Sequence, residues 1–397
     1  MKASKFSITA LLLPLVSNGA DWPGFRGPEG NGYSTEDNVP GKLSTAWSAD
    51  LPGRGLSSPV IIGEKVFLTS SSGNLQDRLH VFCFSAKDGS KVWERQFWST
   101  GRTVSHKKTS VAAPTPVSDG KSVFALFSSN DLVCLDLEGN LKWLRGLTHD
   151  YTNASNSLGM SSSLLVTGQT LVTQIENDSQ SLALGINTDD GTNRWKLARP
   201  KGANWTTANL LPGAGKGGQT LVALQSKDGI DAVDPLTGKT AWSYSEGAST
   251  IPSSTRYGEM LLVPSKGLTA IRPRKDGTSF SQGWRVTKLA PKTASPTHAG
   301  GKLFNINGAG VLTSANPEDG ATLWQLRLQG PFSGSPVTAG KYLYCFNEAG
   351  LGQVVDTTSK EGEVVSTIPL GETILATPAI SNGAVYIRSD GHLWKLN

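Results

Sequence analysis

The sequence predicts an all-β fold built from repeated four-stranded units, and three observations support this prediction. The 397 residues include 45 Gly and 21 Pro, which is a composition rich in turn-forming residues. Charged residues make up only 17% of the chain, so the Glu, Lys and Arg that long amphipathic helices need are scarce. A spacing of Gly, three residues and Trp recurs along the chain and indicates a structural repeat.

The Gly and Trp residues of this repeat are predicted to belong to β-hairpins. Each Gly follows an alternating stretch and a polar turn, as in Asp234-Pro235-Leu236-Thr237-Gly238. Asp or Asn starts such a turn, and Gly supplies the positive φ at its end. Since a Trp side chain buries about 150–250 Å², the Trp residues are expected to pack between units rather than to form ligand platforms. The copies are Gly89 with Trp93, Gly139 with Trp143, Gly191 with Trp195, Gly238 with Trp242, and Gly320 with Trp324.

A second string, Ser or Thr commonly followed by Pro, precedes each hairpin and opens another pair of strands. Its copies are Ser58-Pro59-Val60, Thr115-Pro116-Val117, Ser162-Ser163-Leu164, Ser295-Pro296-Thr297, Ser335-Pro336-Val337 and Thr377-Pro378-Ala379. The unit therefore has four strands in about 40–50 residues, the length of a propeller blade. We predict an eight-bladed β-propeller of four-stranded antiparallel blades over 57–97, 113–147, 159–200, 204–247, 250–289, 294–330, 332–371 and 375–397.

The two chain ends are predicted to share the last blade. The eighth unit stops at Asn397, one strand short, and Ser44-Thr45-Ala46-Trp47-Ser48 has the character of the missing Trp strand. Closing the ring with this N-terminal strand leaves no free sheet edge. Two units are degenerate, because Trp284 lies later than its Gly277 predicts and Ser366 occupies a Trp position. A count of seven blades stays open if the N-terminal strand lies elsewhere.

Residues 1–20 read as a secretory signal peptide. Lys2 and Lys5 precede a short apolar stretch and small residues suited to cleavage. An N-terminal extended segment at 21–43 and a propeller domain at 44–397 are expected to follow. No cysteine stands near the cleavage region to accept a lipid anchor, and no later stretch reads as a transmembrane segment. These features predict a periplasmic or secreted protein.

The paired strings resemble the PQQ-like β-propeller repeat superfamily, in which PQQ is pyrroloquinoline quinone. This superfamily contains the PQQ-dependent alcohol dehydrogenases and the BamB outer-membrane assembly propeller. The segments 22–28 (WPGFRGP), 53–59 (GRGLSSP) and 106–110 (HKKTS) look most similar to secreted bacterial PQQ-like repeat proteins without assigned chemistry. The resemblance covers residues 44–397 and implies the fold more firmly than it implies an activity.

The dehydrogenase branch implies a calcium ion, a carboxylate base and typically a disulfide of adjacent cysteines. This sequence has three widely spaced cysteines, Cys83, Cys134 and Cys345, and no CxxCH haem motif. Most carboxylates stand at turn positions, where they cap the backbone. We therefore predict no catalytic residues, no metal site, no cofactor and three free, buried thiols. A PQQ- and calcium-dependent alcohol or sugar dehydrogenase is the alternative.

The candidate ligand-binding residues cluster in the long link between the first two blades. This link carries Arg102, His106, Lys107 and Lys108, and it is longer than the connection requires. Arg54 and Arg26 are expected to add positive charge if they share the same face, although the link also reads as a plain solvated loop. The predicted function is a non-catalytic binding or scaffold module for a protein or an anionic glycan. The net charge of +5, without a run of Lys or Arg, argues against a nucleic-acid partner, and the oligomeric state stays open.

Overall fold

The computed structural model describes residues 21–154 and 158–397. The strands of this part of the chain form eight sheets, and the inner strands of neighbouring sheets lie against each other around a central channel. The eight-bladed β-propeller predicted from the sequence is confirmed, and the count of seven is excluded. The predicted signal peptide at residues 1–20 lies outside the described residues.

The strands run from the axis outward within each blade. The chain forms β1 (Tyr33–Ser34) and β2 (Thr45–Asp50) before the first blade. Blades 1 and 2 contain β3 (Val60–Ile62), β4 (Lys65–Ser72), β5 (Arg78–Ser85), β6 (Lys91–Trp98), β7 (Val117–Ser118), β8 (Ser122–Leu126), β9 (Asp131–Asp136) and β10 (Leu141–Gly146), followed by the short helix α1 (Leu147–Asp150). Blades 3 and 4 contain β11 (Leu165–Thr167), β12 (Thr170–Ile175), β13 (Leu182–Asn187), β14 (Asn193–Ala198), β15 (Asn209–Leu211), β16 (Leu221–Ser226), β17 (Gly229–Val233) and β18 (Thr240–Tyr244).

The second half of the ring repeats this order. Blades 5 and 6 contain β19 (Thr255–Tyr257), β20 (Met260–Val263), β21 (Leu268–Pro273), β22 (Phe280–Val286), β23 (Thr297–Ala299), β24 (Lys302–Ile306), β25 (Val311–Ala315) and β26 (Thr322–Arg327). Blades 7 and 8 contain β27 (Val337–Ala339), β28 (Tyr342–Phe346), β29 (Leu351–Asp356), β30 (Glu363–Pro369), β31 (Ala379–Ser381), β32 (Ala384–Arg388) and β33 (His392–Leu396). Single 3₁₀ turns lie at Lys216–Gly218 and Thr287–Leu289.

The alternating strand directions give the ring two different faces. At one face the outermost strand of each blade passes to the innermost strand of the next, and we call this the link face. The first and third hairpin turns of each blade lie at the opposite face, which we call the turn face. The outer turns of the turn face carry the repeated Gly residues, which have positive φ values such as 75° at Gly89 and 84° at Gly139.

The repeated Gly and Trp residues join neighbouring blades. The outer-turn Gly of one blade lies flat against the Trp of the preceding blade, so that a Cβ added at Gly139 would stand 2.7 Å from the Trp93 ring. The Trp Nε1 also donates to a carbonyl in the next blade's turn, as from Trp93 to Leu137 O at 3.0 Å. The packing role predicted for the Trp residues is therefore confirmed, and a side chain at the Gly position would separate the blades.

The two degenerate units depart from this contact in different ways. In blade 5, Gly277 packs against Lys216 of blade 4 instead of against a Trp ring, and the Trp of blade 4, Trp242, donates to Ala214 O of its own blade. In blade 7, Ser366 stands in the Trp register and donates to Gly41 O of the N-terminal segment. The N-terminal segment thus covers the position that a Trp fills elsewhere.

Ring closure follows the prediction. Strand β2 pairs antiparallel with β33 and forms the outermost strand of blade 8, with Trp47 opposite Lys395. The Trp47 ring lies against Gly89 of blade 1, as each interior Trp does in the regular blades. The two ends of the chain therefore close the ring through the same contact that joins its interior blades.

The segment before β2 enters the channel from the turn face. Trp22 exchanges backbone hydrogen bonds with Ile61 of blade 1 at 2.9 and 3.0 Å, and the Ser118 N–H of blade 2 donates to Pro23 O at 2.8 Å. Further on, β1 adds a parallel strand to β27 of blade 7. Arg26 of the same segment donates to Ser254 O and Pro296 O, beside the inner strands of blades 5 and 6, so residues 22–34 reach both sides of the channel and block it from the turn face.

Two further observations bear on the sequence predictions. The thiols of Cys83, Cys134 and Cys345 are free and buried, and burial raises the pKa of Cys83 and Cys134 to about 12. Among the described residues, no helix has the length and apolar character needed to cross a membrane.

Candidate binding site at the channel mouth

A ring of hydroxyl groups lines the channel near the link face. Its members come from equivalent positions of the eight blades, each two residues before the first residue of the inner strand. Backbone N–H groups of one blade donate to the hydroxyl of the next in seven described links of 2.9–3.0 Å. We call these residues the hydroxyl ring: Ser58, Thr115, Ser163, Thr207, Ser253, Ser295, Ser335 and Thr377.

The hydroxyl ring explains the Ser/Thr string of the sequence. A hydroxyl oxygen can accept a hydrogen bond and still donate its own proton. In the seven described links the neighbouring blade's N–H occupies one lone pair of the hydroxyl oxygen, so the O–H proton can still be donated to another acceptor, including one on a ligand. The string thus connects adjacent blades and, at the same time, lines the channel with donors.

A cavity of about 440 Å³ opens above the hydroxyl ring at the link face. Phe25 of the N-terminal segment lines it, which makes the cavity a blind pocket rather than an open pore. Its volume lies within the usual range for small-ligand sites. Its apolar lining is supplied by Phe25, Leu56, Leu158, Trp205, Ile251 and Leu375, and its charged or ionisable lining by His106, Lys108 and Glu348.

Trp205 is held rigidly at the cavity wall. Its indole Nε1 donates to Gly159 O at 2.7 Å, and its backbone N–H donates to Thr250 O at 2.8 Å. The preceding residue, Asn204, donates to the carboxylate of Glu176 at 3.0 Å. Glu176 in turn forms an ion pair with Arg199 at 2.7 Å, and both side chains are 1% exposed. Burial raises the pKa of Glu176 despite Arg199, and Glu176 is not among the residues that line the cavity.

The long link between blades 1 and 2 borders the cavity. We call residues 99–113 the strap. The His106 N–H donates to Leu158 O at 2.8 Å, and the Val111 N–H donates to the side chain of Gln76 at 3.2 Å. Lys108 reaches across the mouth to Glu348 of blade 7, with Nζ–O distances of 2.8 and 3.0 Å. The strap is longer than the connection between two blades requires, and the extra residues span the mouth of the cavity.

Five of the six predicted site residues lie at the link face. His106 and Lys108 line the cavity, while Arg102 and Lys107 are exposed on the strap. Arg54 supports the strap, because its Nη2 donates to Lys107 O at 2.5 Å and its Nε lies 3.8 Å from a carboxylate oxygen of Asp390.

Arg26 is not brought together with the other five. It is fully buried inside the channel, and its guanidinium donates to the carbonyls of Asn31, Ser254 and Pro296 and to the Thr255 hydroxyl. Burial lowers the pKa of Arg26 to about 9. The structure thus gives Arg26 the role of holding the N-terminal segment in the channel.

Sequence reasoning missed three residues that shape the cavity. Trp205 stands outside the Gly and Trp spacing, which is a signal that it serves something other than blade packing. Glu348 lies in a hairpin turn and resembles the other turn carboxylates until Lys108 is seen beside it. Phe25 reaches the cavity only because the N-terminal segment enters the channel, which no local pattern predicts.

The donor set of the cavity does not fit calcium-supported PQQ. Calcium takes 6–8 oxygen ligands, several of them commonly carboxylates. Among the described residues that line the cavity, Glu348 is the only carboxylate, and it is already paired with Lys108 and hydrogen-bonded to Ser333 at 2.7 Å. In the described ranges, no group of three or more His, Cys, Asp and Glu residues is placed to hold a metal ion. The cavity therefore offers its ligands donors and apolar surface rather than oxygen ligands for a metal.

Solved structures with the same fold include a BamB protein and alcohol dehydrogenases. BamB from Moraxella catarrhalis superposes with a TM-score of 0.65 at 16% identity, covering 89% of this chain and 97% of that one. The quinohemoprotein alcohol dehydrogenase from Comamonas testosteroni gives 0.71 at 13% identity over 95% of this chain and 80% of that one. A europium-containing methanol dehydrogenase superposes with a TM-score of 0.71 at 11% identity, covering 95% of this chain and 98% of that one. At these identities the likeness shows the fold alone.

Comparison of the sequence with known families is more specific. No curated protein matches the sequence. One family model matches at residues 37–176, 99–259 and 268–365, and its description is outer membrane protein assembly factor BamB. Because these overlapping matches together cover well over half of the chain, the chain belongs to the BamB outer-membrane assembly factor family of PQQ-like propellers.

Proposed function

We propose that this chain is an exported binding propeller, without quinone chemistry, that holds an acidic segment of a partner protein at its channel mouth. The observation that carries the proposal is the blind cavity whose rim bears Lys108 and His106 against the single carboxylate of Glu348. Such a rim attracts an anion, and the closed floor gives the bound group a fixed depth.

The charges around the mouth support an anionic ligand. Arg102 and Lys107 are exposed on the strap and add positive potential to the rim. Lys108 is 54% exposed at its side chain, so a ligand carboxylate can approach its ammonium group from solvent. The ligand then competes with Glu348 for Lys108 and forms a charge-assisted hydrogen bond.

The interior of the cavity adds apolar recognition. Trp205 and Phe25 offer aromatic surface, and the hydroxyl ring offers donors beneath them. An acidic residue beside an apolar or aromatic one fits this combination, since its charge meets the rim and its neighbour enters the cavity. An acidic glycan has comparable chemistry, but the family description as an assembly factor favours a protein partner.

Site-specific photo-crosslinking in the native cell envelope tests the proposal. A photoreactive phenylalanine analogue at Leu375, on the cavity wall, is expected to crosslink a partner. The same analogue at Leu236, exposed on a turn at the opposite face, is the matched control and is expected to give no product. Crosslinking from Leu236 alone would overturn the assignment of the binding face. If the Leu375 peptide, after protease digestion, carries an adduct that periodate cleaves, the partner is a glycan and not a protein.

A further inference from the structure

Three polar side chains of blade 1 that do not line the cavity are joined across its outer strands. The Ser72 hydroxyl oxygen lies 2.7 Å from Nε2 of His80, and Nδ1 of His80 lies 2.9 Å from a carboxylate oxygen of Glu94. Ser72 ends β4, while His80 and Glu94 lie on β5 and β6. The order of contacts, hydroxyl to imidazole to carboxylate, is that of an activated serine nucleophile.

Strand register accounts for this juxtaposition. Ser72 pairs with Arg78 and Phe82 pairs with Glu94, so His80 lies diagonally between Ser72 and Glu94 on the same side of the sheet. His80 is 3% exposed and stacks on Phe82 with a centroid separation of 5.6 Å. A buried imidazole must satisfy both ring nitrogens, and here its two partners are a hydroxyl and a carboxylate.

The carboxylate is suited to orient the imidazole. Burial would raise the pKa of Glu94, but hydrogen bonds from Lys91, His80 and Gln96 outweigh it and lower this pKa to about 2. Lys91 Nζ lies 2.7 Å and Gln96 Nε2 lies 2.8 Å from the Glu94 carboxylate. An ionised Glu94 accepts a hydrogen bond from the Nδ1–H of His80, and this leaves the Nε2 lone pair facing the Ser72 hydroxyl.

The surface beside Ser72 indicates what a substrate would contact. Arg78 lies opposite Ser72 and Trp98 lies opposite Arg78, so the three side chains form one row on the same sheet face. The Arg78 guanidinium lies 4.7 Å above the Trp98 ring, and Trp98 is 64% exposed. Trp98 stands outside the repeated Trp spacing, and blade packing does not bury it. It therefore provides an exposed apolar surface next to the hydroxyl.

We propose that Ser72, His80 and Glu94 form a hydrolytic site for esters with an apolar acyl group. Ser72 is the nucleophile, His80 the general base and acid, and Glu94 the residue that positions His80. Trp98 takes the acyl chain, and Arg78 stabilises the charge that develops on the carbonyl oxygen. This activity is separate from the binding function proposed for the channel mouth, and neither depends on the other.

The reaction balances with water as the only co-reactant. The Ser72 oxygen bonds to the carbonyl carbon while its proton passes to His80 Nε2. His80 returns that proton to the departing alkoxide, and the C–O bond to the alcohol breaks. Water then attacks the acyl-serine and gives a proton to His80. Release of the acid passes this proton to the Ser72 oxygen and restores the starting state.

The test uses the full chain and a fluorophosphonate probe, which forms a covalent adduct with activated serines. Intact mass measurement is expected to show one adduct per chain, located at Ser72 by peptide mapping. Ser72→Ala should abolish the adduct, and Ser90→Ala, an exposed turn serine of the same blade, should leave it unchanged. Hydrolysis of p-nitrophenyl octanoate should follow the same pattern, and Trp98→Ala should raise its KM more than that of the acetate ester.

Further variants separate catalysis from a structural role. His80→Gln should slow labelling by about 10²-fold or more, the scale of general base catalysis, with circular dichroism confirming a folded propeller. Glu94→Gln should slow labelling, and Glu94→Asp should restore part of the rate. Adduct formation that is equal in Ser72→Ala and the native chain, or the absence of any adduct at Ser72, would overturn the proposal.

Discussion

Replacing Trp47 with Ala tests whether ring closure stabilises the propeller as an interior blade contact does. Trp47 lies on β2, its ring rests against Gly89, and its Nε1 lies 3.3 Å from Ala86 O. A buried Trp→Ala change costs about 3–5 kcal/mol, and the partial exposure of Trp47 places the expected loss near about 3 kcal/mol. An unfolding entropy of about 2 cal/mol/K per residue then gives a fall in melting temperature of about 4 °C for a chain of this length.

Thermal melts and urea unfolding of matched variants measure this loss. Trp93→Ala removes the corresponding interior contact, where the side chain is 9% exposed, and should cost as much or more. Leu236→Ala, at a side chain 59% exposed, should change the free energy of unfolding by less than about 0.5 kcal/mol. If Trp47→Ala unfolds like Leu236→Ala, then the closing contact does not hold the ring and the reasoning is wrong.

Three further predictions follow from buried groups and from the cavity. Burial, with Arg26 and Arg256, lowers the pKa of His298 from 6.5 to about 4. Between pH 6.5 and 4, unfolding therefore takes up a proton at His298. The free energy of unfolding should fall by up to about 3 kcal/mol as the pH drops over this range. Urea titrations at each pH should show this dependence in the native chain and not in His298→Asn. Thiol counting in denaturant without reductant should give three per chain, since all three cysteines are free and buried, and a count of one would contradict this. Addition of PQQ and Ca²⁺ should give no dye-linked oxidation of alcohols or sugars, because Glu348 is the only carboxylate lining the cavity; calcium-dependent turnover would refute the fit argument.

The fold could be predicted from the sequence because each blade repeats the same local pattern. The turn Gly and the Trp four residues later are close in sequence, so one string reports the hairpin and the contact with the next blade. The same logic located Trp47 at ring closure and Ser366 at a Trp position. Because the pattern repeats, the contact between neighbouring blades could be predicted from a short stretch of sequence.

The site was less predictable because its contacts join parts of the chain that share no repeat. The strap could be recognised by its length and its basic residues, but its partner Glu348 lies 240 positions after Lys108. Arg26 was grouped with the strap by charge alone, whereas the path of residues 22–34 into the channel buries it. The contacts among Ser72, His80 and Glu94 depend on which residues face each other on neighbouring strands. The sequence pattern of a blade predicts the strands but not this register.

Affinity for an acidic probe tests the binding account most directly. We would titrate a labelled heptaglutamate peptide against the full chain and two variants at low and physiological salt. Glu348→Gln frees Lys108 from its ion pair and should tighten binding, whereas Lys108→Met leaves Glu348 uncompensated at the rim and should weaken it by about tenfold, or about 1.4 kcal/mol. Binding should also weaken as salt rises. Opposite shifts in the two variants are the predicted result, and equal affinities in all three proteins would contradict an anion site at the channel mouth.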